Sequence, residues 1–104
     1  MVTQPVNGWL LKAVDADVNG TGITTDGGSK TVQIWATNFG GGTVTLQSSA
    51  DGGVTWVTLT IAGLPATFTS NAVRKIDRLG QGMLIRATLA GSTGASNVNV
   101  KLFQ

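Results

Sequence analysis

Hydrophobic and polar residues alternate with a period of two along most of the chain, and nowhere sustain a 3.6-residue period. The clearest stretch is Gly42 to Ile61, GTVTLQSSADGGVTWVTLTI. Before its centre, Val44 and Leu46 alternate with Thr43, Thr45 and Gln47; after it, Val57, Leu59 and Ile61 alternate with Trp56, Thr58 and Thr60. Such alternation predicts strands with one buried face. The Asp51-Gly52 pair between the two runs predicts a hairpin, with Ala50, Asp51, Gly52 and Gly53 as its turn.

Further strands are expected around this hairpin. Gly8 to Val14 is apolar on both faces, which suggests a strand covered on two sides. Lys30 to Asn38 places Val32, Ile34 and Ala36 inward, with Gln33, Trp35 and Thr37 outward. After a turn at Ala62-Gly63-Leu64-Pro65, short strands are expected at Ala66 to Thr69 and Val73 to Asp77. Met83 to Ala90 sets Ile85, Ala87 and Leu89 against Leu84, Arg86 and Thr88. Asn97 to Phe103 turns Val98, Val100 and Leu102 inward and Phe103 outward. The sum is about eight short strands at regular spacing, which predicts an all-β, jelly-roll-like antiparallel sandwich. An immunoglobulin-like sandwich is the second choice. Residues 1–8 read as an N-terminal arm and 9–104 as one β-sandwich domain, a length that suits a single core.

Composition narrows the function. Of 104 residues, 15 are Gly, 12% are charged and the formal net charge is +2. The charged fraction is about half the usual value, so much of the surface is neutral and easily buried against a partner. Cys, His, Tyr and Glu are absent from the sequence. That removes thiol chemistry and the commonest general base and metal ligand. No convergent acid–base pair is legible, so no enzyme, catalytic residue or cofactor is expected. No signal peptide or membrane-length apolar run is read, and membrane binding is not expected. The few cations do not form an aromatic-interleaved basic groove, so no nucleic-acid partner is expected.

Three groups of residues carry candidate chemistry. Ser49, Asp51, Gly53, Thr55 and Trp56 match the Asp-box pattern S-x-D-x-G-x-T-W. Its logic is local: the carboxylate accepts turn amides, Gly permits positive φ, and the aromatic pins the turn to the sheet. A structural hairpin turn is expected rather than a glycosidase site, which needs a placed carboxylate pair. Asp15, Asp17, Asn19 and Asp26 follow EF-hand spacing. However, Asp26 stands where a bidentate Glu belongs, Gly22 where an apolar residue belongs, and no helix flanks the loop. A Gly-rich connection is the plainer expectation, with no bound metal. Finally, Trp35, Trp56 and Phe103 point away from the expected core, while Arg74, Lys75 and Arg78 cluster near Asp77. These six are the candidate interface residues.

The order of pieces also resembles a family. A strand leads to Asn19-Gly20-Thr21-Gly22; GGSKTVQIW follows at Gly27 to Trp35, then GGTVTLQSSADGGVTWVTL at Gly41 to Leu59 and LIRATLAGSTGASNVNVKL from Leu84 to Leu102. This is similar to the small β modules of tailed-bacteriophage virions, which occur as head decoration proteins, head fibres and tail domains. The resemblance implies a virion component without enzymatic activity, a homo-oligomer and commonly a trimer, whose partner is the major capsid protein or another virion protein. A decoration or minor capsid protein that stabilises the assembled shell is the first expectation. A tail, adaptor or fibre component is the second, including a small carbohydrate-binding module for host attachment.

Overall fold

The computed structural model describes residues 8–25, 27–80 and 82–103, with the backbone alone for residues 77–79. Twelve strands are formed in these residues: β1 (Gly8–Val14), β2 (Val18–Asn19), β3 (Ile23–Thr24), β4 (Gly28–Trp35), β5 (Thr43–Ser49), β6 (Val57–Thr58), β7 (Thr60–Ile61), β8 (Leu64–Pro65), β9 (Thr67–Phe68), β10 (Ala72–Leu79), β11 (Leu84–Ala90) and β12 (Val98–Phe103). They form two main antiparallel sheets. One has the order β1-β12-β4-β10; the other has β2-β11-β5-β6, with β3 also on β11 and β9 also on β5.

Two strands of the main sheets are each in two pieces, and a separate hairpin, β7-β8, adds two more, which makes twelve. The piece pair β2 and β3 falls in the stretch expected to be a Gly-rich connection, whereas β6 and β9 fall in two strands expected to be separate. Strands β2 and β3 lie along β11 as two pieces of one strand. Strands β6 and β9 do the same along β5. Counted that way, the chain has eight strands in the orders 1-8-3-6 and 2-7-4-5. This is the jelly-roll arrangement of two four-stranded sheets.

The core lies between the sheets. Val32 and Ile34, Val44 and Leu46, Ile85, Ala87 and Leu89, and Val98, Val100 and Leu102 are all buried there. Each set comes from alternate positions of one strand, as the pleat requires. The alternation therefore predicts four inner faces correctly, on β4, β5, β11 and β12.

Three local readings are corrected. The strand Gly8–Val14 does not alternate: its pairing to β12 slips between Trp9 and Leu11 and again between Leu11 and Val14. The slip turns Leu10 and Leu11 both into the core, leaves Trp9 outside, and sets Ala13 at φ 51°. A bulge, not a second covering layer, explains the doubly apolar sequence. Val57, expected in the core, is 61% exposed because β6 is a two-residue strand at the sheet edge. Lys30, at an expected strand start, is 2% exposed on the inner face and donates to the Gly27 carbonyl at 2.7 Å.

Candidate functional site

The turn between β5 and β6 is built as its pattern dictates. The Ser49 hydroxyl donates to Asp51 Oδ1 at 2.7 Å, and Ser49 Oγ accepts the Gly53 amide at 2.9 Å. Asp51 Oδ1 also accepts the Thr55 amide at 2.8 Å. Gly52 and Gly53 hold φ of 78° and 95°, a region that suits glycine. The Trp56 indole donates to the Gly53 carbonyl at 3.0 Å. Donation from the Thr55 amide, then from the Ser49 and Thr55 hydroxyls, holds the Asp51 carboxyl down at about 2. All five residues are engaged in shaping the turn.

Five of the six candidate interface residues have described side chains, and these lie on three different surfaces. Trp56 rests on the outer face of the β2-β11-β5-β6 sheet. There the Arg86 guanidinium stacks 4.3 Å from its ring centroid, and Arg86 Nε donates to Gln47 Oε1 at 2.8 Å. A Cβ on Gly22 would come 2.8 Å from the indole, so that glycine is what lets the ring lie flat. Trp35 and Phe103 sit on the outer face of the other sheet, in register with Asn99 and Thr31 respectively. They are joined by Trp9, which packs 5.6 Å from Trp35, and by Lys12 and Lys101. Arg74 lies on the edge strand β10, with its guanidinium 6.0 Å from the Phe68 ring centroid. Lys75 is exposed on the opposite side of β10, in the row of Thr31 and Phe103, and the Arg78 side chain lies outside the described residues.

That edge holds a feature sequence reasoning misses. Gln47 pairs with Thr58, whereas Thr45, two residues back, pairs with Thr67, nine residues on. Seven residues are therefore inserted into the strand opposite β5. The Leu59 amide donates to the Leu46 carbonyl, and the Leu46 amide donates to the Ala66 carbonyl, which closes the base of the insertion. The insertion projects as the hairpin β7-β8, with Thr60 opposite Pro65 and Ile61 opposite Leu64. Ala62 and Gly63, at φ 52° and 81°, form its two-residue tip, the positive-φ pair of a type I′ turn. The hairpin TIAGLP carries no charge. Leu64 is 69% exposed. Below it, Ile61, Leu64, Pro65, Phe68 and Arg74 line a cavity of about 230 Å³.

Six large hydrophobic residues are exposed among the described residues: Trp9, Val18, Val54, Val57, Leu64 and Val73. Val57 and Leu64 lie on β6 and β8, Val54 lies in the turn that enters β6, and Val73, opposite Gln33, lies on the outer face of the other sheet. The sequence signal was present in the uncharged run Ile61 to Pro65. Turn chemistry alone, however, reads that run as a simple connection.

The residues with EF-hand spacing take separate tasks. Asp17 accepts the Gly91 and Ser92 amides, at 3.0 and 2.9 Å, and the Ser92 hydroxyl. These bonds lower its pKa, the Ser92 hydroxyl contributing most. Asp15 accepts the Asn97 amide at 2.9 Å. Asn19 lies in β2 opposite Thr88, and Asp26 lies outside the described residues. No group of three or more acidic, His or Cys side chains among the described residues could hold a metal ion. Asp15 and Asp17 act instead as loop clamps that tie the start of the chain to the β11–β12 connection.

Comparisons of the chain with protein-family models, with curated proteins and with solved structures return no match.

Proposed function

We propose that this protein is a structural component of a bacteriophage virion, a decoration or minor capsid protein that docks on the assembled shell. The observation that carries this reading is the inserted, uncharged hairpin with Leu64 exposed on it, at the sheet edge that also leaves Val57 exposed. Exposed apolar surface of this kind is a mark of protein–protein contact. A two-stranded hairpin is marginal in water on its own, yet this one projects an uncharged tip. Its I′ turn and its packing beside β10 pre-organise it, which lowers the ordering cost of association. The jelly-roll order agrees with the architecture of the modules the sequence resembles. The Asp-box residues support the reading indirectly, since their hydrogen bonds stiffen a turn and leave no acid–base pair.

The mechanism is mass action. A protein that binds only the assembled shell stabilises it in proportion to occupancy. Neighbouring copies, which the resemblance sets as a trimer, would multiply that effect through avidity. Shells incubated with the protein should rupture at a higher temperature than bare shells. The variant Leu64→Asp, which buries a charge in the docked state, should leave the rupture temperature at the bare value. Equal rupture temperatures with and without the wild-type chain would reject the reading.

A further inference from the structure

The outer face of the β1-β12-β4-β10 sheet carries chemistry that shell docking through the hairpin edge does not use. Trp9 is 39% exposed at the edge of this sheet. Its ring packs against that of Trp35 across β12, the centroids 5.6 Å apart and the planes inclined at 54°. Lys12 Nζ and Lys101 Nζ stand 5.5 and 4.9 Å from the Trp9 centroid, and Lys101 is 5.1 Å from the Phe103 centroid. Gln33 is exposed and lies opposite Lys101 on β4. Two ammonium groups, two indoles and one amide therefore share one patch. Asp15, Asp17 and Asp51, by contrast, are hydrogen-bonded to loop amides.

This combination fits one kind of ligand. An ammonium beside an indole keeps its charge while losing part of its water, so it is ready for an anion. The packed pair offers an uneven apolar surface rather than a flat platform, which suits the C–H groups of a puckered ring resting on it better than a planar base. A polynucleotide would also bring one phosphate per nucleotide and needs a track of cations with flat stacking platforms. Here the two cations flank a single ring.

We propose that this face binds an acidic saccharide, with a pyranose ring against Trp9 and Trp35 and its carboxylate held between Lys12 and Lys101. Gln33 hydrogen-bonds a ring hydroxyl. The site is separate from the hairpin edge, so either can fail without the other.

Titration of the full chain, read by tryptophan fluorescence and calorimetry, tests this. The probes are an oligogalacturonate, sialyllactose, neutral cellotetraose and an oligothymidylate. One or both acidic saccharides should bind, at least about tenfold more tightly than cellotetraose, and more weakly as salt rises. Whichever acidic probe binds identifies the source of the carboxylate. Lys101→Gln should weaken that binding about tenfold with an unchanged melting temperature. Trp9→Ala should abolish it, and Leu64→Asp should leave it intact. Equal binding of cellotetraose, tighter binding of the oligothymidylate, no binding of any saccharide, or full affinity in Lys101→Gln would each overturn the proposal.

Discussion

At the scale of single residues, carboxylates here build loops. Asp51 shows this most clearly. Its folded pKa of about 2 lies below the ordinary 3.8, so the ionised form is favoured by folding. The stability it contributes is present above the unfolded value and is lost as pH falls through the folded one. Acid titration of the melting temperature should therefore drop between about pH 4 and pH 2 in the wild type, and drop less in Asp51→Asn. Asp51→Asn should also melt lower at neutral pH, since Asn cannot offer the same charge-assisted acceptor. The tip of the hairpin gives a second residue-scale prediction. Ala62 holds a left-handed φ of 52°, which costs a Cβ-bearing residue about 1–2 kcal/mol. Glycine there recovers this against its own entropy cost, so Ala62→Gly should raise unfolding free energy by about 0.5–1 kcal/mol in denaturant titration. The Asp-box turn was fully legible in the sequence because every interaction in it lies within eight residues. The tasks of Asp15 and Asp17 were not, because their partners lie 74 to 82 positions away.

At the scale of elements, alternation identifies the inner faces of β4, β5, β11 and β12. It fails where the ladder is irregular. On β1 a bulge breaks the period, so Leu10 and Leu11 could not be assigned to one face in advance. On β6 the run Val57-Thr58-Leu59-Thr60-Ile61 alternates well, yet the strand leaves the sheet after Thr58 and Val57 is exposed. An inserted hairpin has the same local pattern as a continued strand; only the pairing partner differs. Deleting residues 60–66 removes the seven extra residues and lets Leu59 run on to Thr67 opposite β5. The truncated chain should fold with a cooperative melt, because the ladder to β5 becomes continuous. It should not raise the shell's rupture temperature. Loss of folding in this variant would mean that the hairpin is part of the scaffold. By comparison, Leu46→Ala on the buried face of β5 should cost about 2–5 kcal/mol, with no hairpin involved.

At the scale of the whole molecule, the sandwich separates its tasks by surface. The core uses Val, Ile and Leu from alternate positions. The end loops use Asp and Gly to close themselves. The surfaces proposed for partners are the hairpin edge and the aromatic, cationic sheet face. The all-β sandwich was legible from the number and spacing of alternating runs, but the strand at Val18 to Thr24 was not, because its two short pieces lie in a Gly-rich stretch without alternation. That Trp9, Trp35 and Phe103 share a face with Lys12 and Lys101 was not, since it depends on β1 and β4 both flanking β12. The outward direction of Trp35, Trp56 and Phe103 was legible from the pleat, but their division between two sheet faces follows from sheet order.

The most direct test of the proposed place in a virion is immunogold labelling of intact tailed-phage particles whose genome carries this coding sequence, with antibody raised against the purified protein. The account predicts label spread over the head. Label confined to the tail or fibres would contradict shell docking, and particles without label would contradict a place in the virion.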